Sequence, residues 1–390
     1  MANNIFFSRD TRLFAVQGSN IWEISVLNGY QYTQATNTSE VTLAEMTNAA
    51  GDSRRGRAVF NDAQAPADWS FDTYVRPTLI GGKHTCGEEM LWANFVANNT
   101  FAGGNWLVDT VNAVSNTSLD IKFGKSNKSE LGTFDLVFVI GGNSSKLKFD
   151  PGAEPGDPED VDPATSYGAK IYRIYDANIN EVGINFDIDG IATLNWSGNG
   201  ARLREQLTAF DASTALRNGI DQTNNFIRNR LTQMEVVRTL PNGTTKTYNV
   251  TLTGGSITLS NNLSYLTPEL LGRVNTPLGH VTGTRTIGGS FTCYLDATTA
   301  GSGELFNDLA AATNEVRNQF DLTMYVGGSS GVADVPRAPG IAISIPRAHL
   351  TVPQMDTGDV LSLSVDFSAL PSDLNTADEI DLIRYKGVAA

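Results

Sequence analysis

Four blocks of residues in the first half of the chain return in the same order in the second half, and no other feature restricts the fold as much. Ser70-Phe71-Asp72-Thr73-Tyr74-Val75 is matched by Ser290-Phe291-Thr292-Cys293-Tyr294-Leu295, and Leu91-Trp92-Ala93-Asn94-Phe95 by Leu305-Phe306-Asn307-Asp308-Leu309. Phe134-Asp135-Leu136, running on to Ile140-Gly141-Gly142, is matched by Phe320-Asp321-Leu322, running on to Val326-Gly327-Gly328. The fourth block starts at Ala177 and Ala348 and lays out without a gap to Leu194-Asn195-Trp196-Ser197 against Val365-Asp366-Phe367-Ser368. A weaker fifth match sets Val41-Thr42-Leu43 against Ile257-Thr258-Leu259. One such pair arises by chance; four collinear pairs, with aromatics and glycines in register, point to a duplicated unit. The spacing shrinks along the chain, so the second copy is expected to have shorter loops. The first copy alone carries an acidic, proline-rich insertion at 150–163, with Asp150, Glu154, Asp157, Glu159, Asp160 and Asp162, which reads as an exposed, mobile loop.

Within each copy the pattern alternates with period two. Leu119, Ile121 and Phe123 are interleaved with Asp120 and Lys122; Tyr248, Val250 and Leu252 with Asn249 and Thr251; Leu361, Leu363, Val365 and Phe367 with Ser362, Ser364 and Asp366. That is the signature of half-buried antiparallel strands. The run from Phe134 to Ile140 is more continuously apolar, with Asp135 its one charged residue, and is expected to be central. Each copy also holds one helix. Thr85 and Glu88 fit a capping box ahead of Leu91 and Phe95, and Leu305, Leu309, Ala312 and Val316 form an apolar stripe at helical spacing. The spacing of Leu203, Leu207 and Phe210, and of Ile220, Ile227 and Leu231, predicts a partly helical connector over 201–231, interrupted near Asp211 and Gly219. The fold expected is mainly β: two tandem β-sandwich or small-barrel lobes, each with one packed helix. Boundaries fall at 1–200 for a first lobe with an N-terminal arm, 201–230 for the connector, 231–373 for the second lobe and 374–390 for a C-terminal arm.

The 390 residues suffice for two or three domains, and 28 Lys and Arg against 42 Asp and Glu leave a formal charge of −14. A chain so acidic repels nucleic acid and anionic membrane. Cys86 and Cys293 do not make a disulfide framework, and a reducing compartment fits. The N-terminus lacks a basic segment followed by a long apolar one, and no apolar run reaches the roughly 18 residues that span a bilayer, so a protein used without export is expected.

Candidate chemistry is thin. His84-Thr85-Cys86 offers two metal ligands, with no second cluster to complete a tetrahedral site. Asn185-Phe186-Asp187-Ile188-Asp189-Gly190 resembles the start of a calcium loop, but its twelfth position is Trp196 where a carboxylate is needed; Asp189-Gly190 reads better as a hairpin turn. There is no phosphate-cradling glycine loop and no Gly-x-Ser-x-Gly elbow, and His280, Thr282 and Asp296 make no triad. No catalytic, cofactor or metal residue is assigned, and an enzyme is not expected. Two polar stretches precede the Ser-Phe-x-x-Tyr strands. One, at 46–69, holds Arg54, Arg55 and Arg57; the other, at 262–289, holds Arg273, His280 and Arg285. Basic loops on an acidic protein suit docking onto an acidic neighbouring copy, and a merely solvated loop fits the same residues.

The segment from Leu266 to Gly272, then Gly279-His280-Val281-Thr282-Gly283-Thr284-Arg285 and Gly289-Ser290-Phe291-Thr292-Cys293-Tyr294, resembles the tail tube proteins of long-tailed phages. So do Ser53-Arg54-Arg55-Gly56, Ala67-Asp68-Trp69-Ser70-Phe71, Tyr74-Val75-Arg76-Pro77 with Leu91-Trp92, and the run from Ile184 to Trp196. The resemblance is one of pattern and touches most of the chain from Thr11 to Ser372. It implies two antiparallel sheets and a helix per unit, inner sheets of neighbouring subunits joined into a β-barrel ring, and rings stacked into a tube through which DNA is ejected. Tubes of the family are usually rings of six single-unit subunits; if each lobe fills one place, three chains make a pseudo-six-fold ring, and the competing arrangement is six chains per ring with one lobe lining the lumen and the other on the exterior. With the charge of the two basic loops, the resemblance makes Arg54, Arg55, Arg57, Arg273 and Arg285 candidates for ring-stacking loops. Expected partners are the chain itself, a tape measure protein in the lumen, a terminator, a baseplate or sheath, and passing DNA, in a virion tail assembled in the host cytoplasm. A baseplate-proximal tube cap of the same fold, or a carbohydrate-binding or adhesin β-sandwich, is the rival reading.

Overall fold

The period-two runs fold as strands, and the apolar side of each run faces a shared interior. The computed structural model describes residues 8, 11–41, 49–51, 58–97, 101, 106, 118–123, 131–141, 170–208, 210–216, 225–239, 243–266, 277, 279–311, 320–376 and 378–389. The first half runs β1 (Thr11–Gln17), β2 (Asn20–Ile24), β3 (Gln31–Val41), β4 (Ala58–Tyr74), β5 (Pro77–Ile80), β6 (Lys83–Cys86), α1 (Glu89–Phe95), β7 (Leu119–Ile121), β8 (Phe134–Ile140), β9 (Lys170–Asp187), β10 (Thr193–Gly200) and β11 (Arg202–Glu205). The second half runs β12 (Gln233–Thr239), β13 (Thr245–Asn249), β14 (Leu252–Ser260), β15 (Leu263–Leu266), β16 (Gly279–Thr282), β17 (Thr286–Tyr294), α2 (Ser302–Ala311), β18 (Phe320–Val326), β19 (Gly340–Leu350), β20 (Gln354–Thr357), β21 (Leu361–Ala369), β22 (Leu382–Lys386) and β23 (Val388–Ala389).

The long strand β9 serves two sheets. Its first part pairs with β8 and β11, and β8 in turn pairs with β1 and β1 with β2. Asp176, at φ +51°, marks the bend; its N–H donates to Asp135 Oδ1 at 2.8 Å. Beyond the bend β9 pairs with β10, β10 with β4 and β4 with β3. The second half repeats these connections. β13 pairs with β12, β12 with β18 and β18 with β19, while β14 pairs with β17 and β17 with β21, which the end of β19 and then β20 flank. The irregularities recur as well. The β8–β9 ladder shifts register between Phe134 and Leu136, and the β18–β19 ladder between Phe320 and Leu322. Phe134 faces Ala177 and Phe320 faces Ala348, so the third and fourth blocks meet at the same point in both halves. In the first block Phe71 faces Trp196, and Phe291 faces Val365.

Four sequence expectations are corrected by these ladders. Trp196 and Val365 occupy matching positions, so the fourth block is not gapless; the β9–β10 turn, residues 188–192, is two residues longer than the β20–β21 turn, residues 358–360. Ile257 faces Gly289 as Tyr32 faces Trp69, so Tyr32-Thr33-Gln34, and not residues 41–43, stands where Ile257-Thr258-Leu259 stands. The run from Tyr248 to Leu252 keeps its alternating burial but is not one strand, because β13 ends at Asn249 and β14 starts at Leu252. The connector is not helical where it is described, apart from a 3₁₀ turn at Asn229–Leu231. Arg202–Glu205 instead extends the β9 edge as β11, and Leu207 is 68% exposed where a buried helix face would hold it. Pairing to an open strand edge satisfies that backbone better than a short isolated helix would.

All five tryptophans are buried, and four of them, Trp22, Trp69, Trp92 and Trp196, find partners for their indole N–H groups. Trp22 Nε1 donates to Gly87 O at 2.7 Å and Trp196 Nε1 to Thr73 Oγ1 at 3.0 Å. Helix α1 is buried on all sides, while α2 buries Leu305 and Leu309 and turns Glu304 and Asp308 to Lys246 at 2.7 and 2.5 Å. The capping box is drawn differently from the sequence expectation. Thr85 Oγ1 donates to Glu89 at 2.5 Å, and Glu88 is the N-cap without a side-chain cap bond. The C-terminal segment crosses back to the first half: β22 pairs with β7 as well as β19, and β23 runs parallel to β5. The insertion at 150–163, Ala312 and Val316, and Gly219 and Ile220 lie outside the described residues.

Candidate functional site

The two halves share one sheet. β9 pairs on its far side with β14, from Glu181 opposite Ser260 to Asp187 opposite Gly254, so the order β3-β4-β10-β9-β14-β17-β21-β20 runs unbroken across the chain. Its inward positions are apolar and buried: Trp69, Phe71, Leu194, Trp196, Ile184 and Ile257 in and beside the first half, with Phe291, Val365 and Phe367 in the second. The opposite face is built from short polar side chains. Ser70, Ser197 and Glu181 lie side by side across β4, β10 and β9, and Asn185, Ser256, Ser290 and Asp366 across β9, β14, β17 and β21.

Charge is distributed unevenly between the sheets. β3, β4, β10, β14, β17, β20, β21 and the Asn178–Asp187 part of β9 contain no Lys or Arg at all. They do contain Glu40, Asp62, Asp68, Asp72, Glu181, Asp187, Asp356 and Asp366. The strand cations sit elsewhere, as Arg12, Lys83, Lys170, Arg173, Arg202, Arg204, Arg238, Lys246, Arg347, Arg384 and Lys386. Several are paired there: Arg173 with Asp135 at 2.5 Å, Arg384 with Asp120 at 2.8 Å and Arg347 with Asp378 at 2.6 Å. This segregation is written in the sequence, but it is visible only once each strand is assigned to its sheet.

Among the described residues, the long sheet ends in two unpartnered edges. β3 pairs only with β4, and β20 only with β21. All four residues of β20 are exposed, and Val352, Met355, Val360 and Leu361 bring apolar surface to that edge. The outer parts of β3 and β4 project as a two-stranded ribbon whose residues 58–62 are all exposed, Val59 at 52% and Phe60 at 59%. The polar stretch at 46–69 is therefore strand from Ala58 onward. The hairpin β15–β16 extends β14 and β17 in the same way, with Leu266 and Val281 exposed.

Of the arginines singled out in the sequence, Arg54, Arg55, Arg57 and Arg273 lie outside the described residues. Arg285, at the base of the β15–β16 hairpin, is turned into the chain. Its guanidinium lies 4.2 Å over the Phe123 ring and 3.6 Å from Glu379 Oε2, joining the second half to the first and to the C-terminal segment. His84 Nδ1 accepts the Gly387 N–H at 3.0 Å, and Cys86 and Cys293 are buried free thiols whose pKa burial raises. Asp189-Gly190 lies in the β9–β10 turn, with Gly190 at φ +109°. No group of three His, Cys, Asp or Glu side chains with metal-binding geometry occurs among the described residues.

No family model matches the sequence. The chain is 31% identical over 389 residues to tail tube protein pb6 of Escherichia phage T5, a match that covers 95% of this chain and 74% of that protein. With the mainly β architecture and large antiparallel sheets described above, this similarity places the chain among the phage tail tube proteins, as a structural protein of the virion tail.

Proposed function

We propose that the chain is two tandem tube units that self-associate into stacked rings, with the polar face of the long sheet lining the lumen. The observation that carries this reading is the eight-strand sheet, which has no Lys or Arg on any strand where β9 is taken from Asn178 onward. A conduit for DNA must not hold phosphates, and a wall of short hydroxyl and amide side chains with carboxylates offers them no counter-charge. The matching ladders and matching register shifts of the two halves support reading each half as one unit. Six units then need three chains, giving a ring of true three-fold and approximate six-fold symmetry. A closed ring also removes the two open sheet edges.

In this reading the β3–β4 ribbon and the β15–β16 hairpin reach towards neighbouring rings. A two-stranded ribbon exposed on both faces is marginal on its own in water, which favours a partner surface for Val59 and Phe60. Arg54, Arg55, Arg57 and Arg273 belong to the same stacking loops, and Arg285 anchors the base of one of them. The activity is assembly and not catalysis. The remaining contacts are with a tape measure protein, a terminator, a baseplate or sheath, and passing DNA, and assembly takes place in the host cytoplasm. Electron microscopy of the purified protein tests the reading: tubes or rings of three chains are expected, and six chains per ring, or a half without lumen contact, refute it.

A further inference from the structure

The joint between the two halves is a template for the joint between two chains. Within one chain, the end of β9 pairs with β14, Ile184 facing Ile257, Asn185 facing Ser256 and Gly183 facing Thr258. The strand that matches β14 in the first half is β3, because Tyr32 faces Trp69 as Ile257 faces Gly289 and Gln31 faces Ser70 as Ser256 faces Ser290. The strand that matches the end of β9 in the second half is the stretch through β20, because Met355 faces Leu363 as Ile184 faces Leu194. These are the two edges of the long sheet that have no strand partner among the described residues.

Resting on the ring reading above, we infer that β20 of one copy pairs antiparallel with β3 of the next copy, in the register of the internal joint. Met355 then faces Tyr32, Asp356 faces Gln31 and Gln354 faces Thr33. The chemistry of each pair suits its side of the sheet. Met355, 44% exposed in the free chain, and the half-buried Tyr32 take the inward positions held by Ile184 and Ile257 in the internal joint. Gln31, Thr33, Gln354 and Asp356 take the polar face, where Asn185, Gly183, Ser256 and Thr258 stand in the internal joint. A one-residue slip would reverse every one of these positions. Pro353, immediately before β20, removes one backbone donor from that edge, a feature tolerated at a sheet edge that limits pairing with unrelated strands.

Paired cysteines test the register. Directly opposite residues bring their Cβ atoms to about 5 Å and diagonal ones to about 7 Å, so a disulfide forms readily only in the first case. The double variant Gln31→Cys with Asp356→Cys is expected, on mild oxidation of assembled protein, to lose most of its monomer band on a non-reducing gel to covalently linked multimers that end in closed rings. Gln31→Cys with Gln354→Cys, two residues out of register, is expected to keep its monomer band, as are the single variants. Cross-linking of the second pair in preference to the first overturns the proposed register. Wild-type protein that forms tubes while neither pair cross-links overturns the joint and leaves the tube reading intact. Wild-type protein that stays monomeric at high concentration, with neither pair linked, overturns both.

Discussion

Phe367 lays its ring against Gly289 across the β17–β21 ladder, at a point where a Cβ on the glycine would come within 3.0 Å of ring Cζ and 2.0 Å of the Ser256 carbonyl oxygen. In the first half the same position is filled the other way round. Trp69 on β4 faces Gly198 on β10, where a Cβ would lie 2.6 Å from Trp69 Cζ2 and 2.0 Å from Asn178 O. Each half places one large ring and one bare backbone at this crossing, with the partners exchanged between strands.

Gly289→Ala and Gly198→Ala are therefore expected to destabilise the chain by about 3 kcal/mol or more, since the obstruction is backbone and cannot rotate away. Gly183→Ala is the control: the nearest atom to its Cβ would be Asn195 Cβ at 3.6 Å, an ordinary contact. Urea unfolding midpoints of the three variants check the ordering; equal losses in all three would show that the ring-over-glycine packing is not the cause.

The C-terminal segment is expected to be part of the fold and not an appendage. Trp92 Nε1 donates to Tyr385 Oη at 2.7 Å, joining α1 to β22 deep in the core. A Cβ at Gly387 would lie 2.2 Å from the Thr78 backbone. Tyr385→Phe leaves the buried indole N–H without its acceptor and should cost about 1–3 kcal/mol. Tyr385→Ala adds a cavity and should cost about 3–5 kcal/mol. Deleting residues 379–390 should abolish cooperative thermal unfolding, and a deletion that melts like the full chain contradicts this role.

Glu88 gives stability a pH dependence. Burial, opposed by the nearby Arg76, pushes its carboxyl from 4.5 up to about 8. The folded chain therefore holds this proton to about pH 8, while the unfolded chain releases it near 4.5. Between those values unfolding releases a proton, so stability falls as pH rises. Unfolding midpoints measured from pH 5 to 8 should decline in the wild type, and Glu88→Gln, which stays neutral, should flatten that decline. An unchanged slope in the variant would assign the effect to another group.

The strands were legible because period-two alternation survives in Leu361 to Phe367 and in the apolar run at Phe134, and α2 was legible from Leu305 and Leu309. The correspondence between halves was legible only where letters repeat. The pair β1–β2 and β12–β13 hold matching places, Trp22 facing Ala15 and Tyr248 facing Val236, yet share almost no residues, so only the ladders reveal it. The fourth block misled for a physical reason. Phe367 aligns by type with Trp196, but the ring at 367 answers Gly289, while the residue in the place of Trp196 is Val365. The open edges of the long sheet, β3 and β20, were hidden because an edge is defined by the absence of a neighbour, which no local pattern encodes. The barren charge of the long sheet was hidden because its strands are scattered from Gln31 to Ala369.

That charge pattern makes the last prediction. If the polar face of the long sheet walls the lumen, cations introduced there should make the tube hold DNA. Asp72, Asp187 and Asp366 lie on that face in three separate strands, β4, β9 and β21. Replacing all three with Lys changes the formal charge by six per chain, because each substitution removes a negative charge and adds a positive one. The assembled triple variant should retain short duplex DNA in low salt, and the retention should fade steeply as salt rises, because each phosphate contact displaces counterions. Wild-type tubes should retain none under the same conditions. Fluorescence anisotropy of labelled duplex across a salt series reads both. A control triple variant with three acidic residues of the outer strands replaced, Asp135, Glu205 and Glu235, should hold DNA on the outside of the tube, where added nuclease reaches it; DNA held by the luminal variant should be protected. Equal nuclease sensitivity in the two variants would mean that Asp72, Asp187 and Asp366 do not face an enclosed channel.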